Sequence, residues 1–125
     1  MAIATPLLRY QATQVQTASP ARLVLMLFDG AIRFMQQGKA SLQDGRIEDA
    51  NRQLGRAQAV ISELMSSLKL EAGPLAKNLY NIYDFLRRHL ALSLASAEPW
   101  RVQQAIDLLT PLRDAWEQAC VREGA

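Results

Sequence analysis

The chain carries one histidine, His89, and one cysteine, Cys120, and these two side chains bound the chemistry it could perform. A di-iron helical bundle draws on two Glu-x-x-His pairs on facing helices, and no such pair occurs here. A haem would need His89 joined by a methionine such as Met26 or Met35 as second axial ligand, which leaves a haem-binding bundle as one alternative reading. Cys120 has no second histidine to activate it and stands at helical spacing from Trp116, so it reads as a small core hydrophobe. A lone cysteine also excludes an internal disulfide and any multi-cysteine zinc site. Gly30, Gly38 and Gly55 are isolated inside helical patterns and form no phosphate-cradling loop. Each costs up to about 1 kcal/mol relative to alanine, so each is expected where two helices approach closely. The reading is of a protein that is not an enzyme and carries no cofactor.

The elements that position these residues are helical. With 125 residues, half of them hydrophobic and 21% charged, the chain can fold one domain around one core. Its 14 basic and 12 acidic residues are interspersed and leave a net charge of +2, without the clustered lysines and arginines of a nucleic-acid binder. The densest basic spot, Arg87-Arg88-His89, reads as a solvated helix edge. Neither a secretory signal nor an apolar run of membrane-spanning length is visible, so no membrane insertion is expected.

Ser19 followed by Pro20 is a helix-start pair: the serine caps free amides and proline fits the first helical position. From there Leu23, Leu27, Ala31, Phe34, Gly38 and Leu42 recur three or four apart as one stripe, opposite Arg22, Asp29, Arg33, Gln36 and Gln37. Asp44-Gly45 breaks the chain. A second helix from about Ile47 to Leu68 carries Leu54, Ala57, Ile61, Leu64 and Leu68, with Glu48 one turn before Arg52. After the break at Glu71 to Pro74, a third helix from Leu75 to about Leu94 carries Leu75, Leu79, Ile82, Leu86 and Leu90. Ser96 or Glu98 with Pro99 opens the fourth, striped by Val102, Ile106, Leu109, Leu112, Trp116 and Cys120, with Pro111 expected to kink it near Asp107 to Thr110. Strand alternation is absent. Four helices of roughly 20 residues, each about 30 Å long, predict an all-α antiparallel four-helix bundle over residues 19–125. Residues 1–18 do not fit: Ile3, Leu7, Leu8, Tyr10 and Val15 are apolar, yet Pro6 and scattered glutamines argue for a segment that lies on the bundle.

The chain is greasier than its stripes require. Leu23 to Phe28 are six consecutive apolar residues, more than one turn, so they cannot share one face. Leu25, Met26 and Ile32 flank the first stripe, Val60 and Met65 the second, Tyr80 and Tyr83 the third, Leu108 and Val121 the fourth. Part of this surplus widens the core; the rest suits a groove for a partner segment, where methionine packs adaptably and tyrosine is amphipathic. A helical adaptor for another protein, or a homo-oligomer using the same surface, remains an alternative.

Three stretches resemble the flagellin-specific export chaperones of bacteria, the FliS family. They are "YQATQVQTASPARLVLMLFDGAI" at 10–32, "LYNIYDFLRRHL" at 79–90 and "LLTPLRDAWEQA" at 108–119. The departures are His89, where an apolar residue is commoner, and Pro111. The resemblance implies a bundle in the cytosol of a flagellated bacterium, a monomer or weak homodimer when free. It would bind the C-terminal region of newly made flagellin, prevent premature polymerisation and assist delivery to the flagellar type III export apparatus. On that reading Leu25, Met26, Ile61, Leu64, Met65, Leu68, Tyr80 and Tyr83 are the candidates for flagellin contact. Leu7, Leu8 and Tyr10 become a groove lid that also docks at the export gate.

Overall fold

The computed structural model describes residues 19–122, and the front segment 1–18 lies outside the described residues. The described chain is an all-α bundle of four long helices: α1 Pro20–Gln43, α2 Ile47–Ser66, α3 Pro74–Ser96 and α4 Pro99–Arg122, with a 3-10 turn at Leu70–Ala72. α1 packs against α2 and α4, and α3 against the same two. Links between Lys39 and Gln103 and between Asp29 and Arg113 run in opposite chain directions, so α1 and α4 are antiparallel.

The caps follow from the sequence. Ser19 accepts a hydrogen bond from the Arg22 amide at 3.2 Å, with Pro20 next in line. At the other end Gly45 takes φ +74°, a left-handed conformation that glycine adopts without steric cost, and the Arg46 amide turns back to the Ser41 carbonyl at 2.8 Å. Glu48 and Asp49 put negative charge on the first turn of α2. Arg52 pairs with Asp49 rather than with Glu48. Pro111 sits within a helix that runs unbroken from Pro99 to Arg122; it leaves the Asp107 carbonyl without its helical donor.

The core cluster contains Phe28, Ala31 and Met35 of α1, Leu54, Ala57, Ile61 and Leu64 of α2, Tyr83, Leu86 and Leu90 of α3, and Val102, Ile106 and Leu109 of α4. The stripes of α2 and α4 are those read from the sequence. In α1 the early register differs: Leu25 and Phe28 are buried, while Leu23 and Leu27 are half-buried. A helix flanked by two neighbours buries a wide arc, and the larger Phe28 ring takes the central place. Leu75, expected to lead the α3 stripe, is 71% exposed, because burial in α3 begins only at Tyr83.

Gly38 marks the tightest approach of α1 to α2. A β-carbon there would sit 2.6 Å from Cγ of the fully buried Leu54. Gly55, expected to play the same part, faces open space: a β-carbon would meet nothing within 4 Å. The two sites therefore separate packing from propensity. Gly38→Ala should destabilise by about 1–2 kcal/mol, since overpacking against an immovable leucine outweighs the helical gain. Gly55→Ala should instead stabilise by up to about 1 kcal/mol. Urea denaturation of the two variants beside the parent measures both signs.

Candidate partner-binding surface

Residues from all three sequence motifs meet at the end of the bundle where α1 begins. The Phe28 ring lies 6.3 Å from Tyr83 and 6.4 Å from Trp116, tilted against both, as aromatic quadrupoles prefer. The Trp116 indole N–H donates to the Ala21 carbonyl at 2.8 Å, and the Cys120 thiol points at the same oxygen from 3.6 Å. One turn back on α4, the Arg113 guanidinium donates to Asp29 at 2.7 Å and to both Glu117 oxygens at 2.9 and 3.0 Å. Asp29, Glu117 and Asp114 together hold the guanidinium above its usual pKa. This cluster fastens α4 to α1 and seats the motif tyrosine of α3 beneath them.

The eight candidate contact residues separate by depth. Leu25, Ile61, Leu64 and Tyr83 are buried, and Ile61, Leu64 and Tyr83 belong to the core cluster. Met26, Met65 and Leu68 are half-buried, and Tyr80 is 38% exposed. Three of these last four fall at the same end of the α2–α3 seam. The Gln58 amide donates to the Arg87 carbonyl at 3.1 Å across the α2–α3 seam. Two turns along in antiparallel register, Met65 stands opposite Tyr80, and Leu68 follows just past the end of α2, partly buried against the core. Met26 is elsewhere, on α1. Leu7, Leu8 and Tyr10 lie outside the described residues.

Sequence reading missed a second apolar seam. Phe85 is 48% and Leu92 56% exposed, on the flank of α3 that faces α4. Trp100 is also exposed, its N–H donating to Glu98 at 2.7 Å and the Arg101 guanidinium 4.7 Å over its ring. The signal was present in the period: Phe85 precedes the core residue Leu86 by one position, about 100° around the helix, and Leu92 follows two turns later. The basic spot after Phe85 is spent locally. Arg87 and Arg88 both clamp Asp84, and the Arg87 hydrogen bond leads in holding its carboxyl below the usual range. His89 stacks on Phe85 at 5.3 Å and donates from Nε2 to the Arg101 carbonyl at 3.0 Å.

Among the described residues no three His, Cys, Asp or Glu side chains gather in a way that could hold a metal ion, and no helix is long and apolar enough to cross a membrane. Burial pushes the Tyr83 hydroxyl up to about 12 from its ordinary 10. In the unfolded chain the phenol ionises near pH 10, so Tyr83 favours folding below that pH, and this preference fades as pH climbs toward 12. Stability should fall by about 1.4 kcal/mol per pH unit in that window from this group. Tyr83→Phe should remove that slope, which urea melts of both proteins at pH 9, 10.5 and 11.5 resolve.

Comparison with known proteins fits this geometry. A family model described as flagellar protein FliS matches residues 3–123. The flagellar secretion chaperone FliS of Vibrio cholerae is 36% identical over 107 residues, covering 85% of this chain and 79% of that protein. Its namesake in Bacillus subtilis is 31% identical over 123 residues, 98% of this chain and 92% of the relative. That of Salmonella typhimurium is 30% identical over 106 residues, 83% and 78% of the two chains. Matched along nearly its whole length, with its three motif segments knitted into one cluster, the chain belongs to the FliS family, a family of chaperones and not of enzymes.

Proposed function

We propose that this chain is a cytoplasmic export chaperone for flagellin. It grips the C-terminal region of the newly made subunit, keeps it from polymerising early and assists its delivery to the flagellar type III export apparatus. The observation that carries this reading is the seam of Met65, Leu68 and Tyr80, which stays accessible beside a core already filled by Ile61, Leu64 and Tyr83. An unassembled filament subunit has helical termini whose apolar faces lack a partner, and a greasy seam on a preformed bundle covers such a face. Methionine adapts to varied side chains, and tyrosine adds contact area with a wet hydroxyl. Binding acts by mass action: a subunit held on the bundle is withdrawn from assembly, with no nucleotide cycle. Membership in a family whose relatives are named flagellar secretion chaperones supports the same reading.

Titration calorimetry with a flagellin C-terminal fragment tests it. Met65→Asp and Tyr80→Asp should each weaken binding at least tenfold while helicity by circular dichroism is unchanged. Ile61→Asp should fail differently, by losing the fold, because an unpaired carboxylate in a dry core costs several kcal/mol. Undiminished affinity in both surface variants would remove the seam from the reading.

Residues 1–18, with Leu7, Leu8 and Tyr10, are proposed as a removable lid over the client groove that also contributes to export-gate docking. Deleting them should leave a folded bundle whose affinity for the fragment is equal or higher. A variant that no longer folds, or that folds and binds more weakly, counts against a lid.

A further inference from the structure

Both apolar seams border α3, whereas the outward face of α1, across the bundle from α3, carries charge. Phe34 of α1 is buried, and two guanidinium groups stand over its ring, Arg33 of the same helix at 6.0 Å and Arg56 of α2 at 5.9 Å. The two cations are therefore within about 12 Å of each other, drawn to the π-electrons of one ring. Arg46, Arg52, Arg87, Arg88, Arg101 and Arg113 are each in an ion pair, but Arg33 and Arg56 enter none among the described residues. Helix spacing explains why. One turn from Arg33 stand Asp29, already engaged by Arg113 at 2.7 Å, and the uncharged Gly30, Gln36 and Gln37. One turn from Arg56 stand Gln53, Ala59, Val60 and Arg52, the last repeating the charge. On the α4 side of Arg33 an open depression of about 420 Å3 is lined by Asp29, Ile32 and Gln36 of α1 and by Thr110, Arg113 and Asp114 of α4. Among its charged lining residues Arg33 alone lacks an ion-pair partner within the described residues, because Arg113 holds both Asp29 and Asp114.

We propose that Arg33 and Arg56 form a docking site for an acidic segment of a partner protein, which crosses the outside of α1 and places an Asp or Glu carboxylate between the two guanidinium groups. Charge complementarity selects this occupant. Contact with a ring engages the flat side of a guanidinium and leaves its edge N–H donors available, and that planar fork matches a carboxylate. A nucleic-acid backbone would call for a longer run of cations; here there are two, and Arg52, the next along α2, is spent on Asp49. The depression gives the segment room to lie close to α1, with the half-buried Ile32 as an apolar floor. Arg113 already serves Asp29, Asp114 and Glu117, so the α4 rim carries an excess of negative charge. The carboxylate is thereby directed to the other side of Arg33, toward Arg56. The site is independent of the client seam between α2 and α3 and leaves it open, so the bundle can hold both segments at once.

Fluorescence anisotropy of a labelled hexaglutamate peptide, titrated with the full chain up to about 1 mM in about 20 mM salt, tests the proposal. The expected result is a dissociation constant in the hundreds of micromolar that rises at least fivefold in about 300 mM salt, as screening requires. Arg33→Gln combined with Arg56→Gln should weaken binding at least tenfold with helicity unchanged. Arg56→Gln alone should cost at least threefold and serves if the double variant folds poorly. Arg22→Gln combined with Lys77→Gln removes the same net charge from the exposed surfaces of α1 and α3 and should leave the constant within twofold. Inorganic phosphate at matched ionic strength should not displace the peptide. Absence of binding overturns the proposal, as does an equal loss in the Arg22 and Lys77 variant. So does displacement by phosphate, which would mark a site for any small anion.

Discussion

The placement of the Phe28 ring between Tyr83 and Trp116 governs the rest of this bundle. Packed between those two rings, Phe28 takes the inward position in the early turns of α1 and is buried together with Leu25. Once it has, Ala21 lies under the Trp116 indole and Asp29 under the Arg113 guanidinium, and α4 is fastened along α1 by directional bonds. At the far end of the same helix Gly38 lets Leu54 press against the backbone, fastening α2. α1 is thereby the axis on which two neighbours are fixed.

α3 is held differently. Across its seams to α2 and α4 the described contacts are the single hydrogen bonds from Gln58 to Arg87 and from His89 to Arg101, and the ion pairs of Asp84 stay within the helix. Its attachment is hydrophobic, through Tyr83, Leu86 and Leu90, and both of its flanks display apolar side chains. One flank offers Tyr80 beside Met65, the other Phe85 beside Leu108. A helix buried on one side and apolar on both shoulders exposes oily area without opening the core, the property on which the proposed client seam draws.

How much of this could be read beforehand follows from what periodicity encodes. Helix limits were legible within two residues because Ser19-Pro20, Asp44-Gly45 and Glu98-Pro99 are local signals whose physics does not depend on distant packing. The inward faces of α2 and α4 were legible for the same reason, each having one stripe. In α1 the stripe held from Ala31 through Phe34 and Gly38 to Leu42 but not in the first two turns, where six apolar residues in a row give the period nothing to discriminate. The division of the candidate residues into buried Leu25, Ile61, Leu64 and Tyr83 and accessible Met65, Leu68 and Tyr80 likewise depends on helix rotation, which only the neighbours decide. Phe85 and Leu92 escaped notice because they share a helix with a strong stripe and look like its margin.

The Arg113 node has a consequence for the ionic environment. Its bond to Asp29 on α1 is partly open to water, so added electrolyte shields it and weakens that one ionic tie between α4 and α1. Salting-out ions act oppositely on the oily contacts of α3, which tighten as water becomes a poorer solvent for hydrocarbon. The ionic tie of α4 and the apolar seating of α3 thus answer a salting-out electrolyte with opposite sign, while the oily core shared by all four helices carries the assembly through the change.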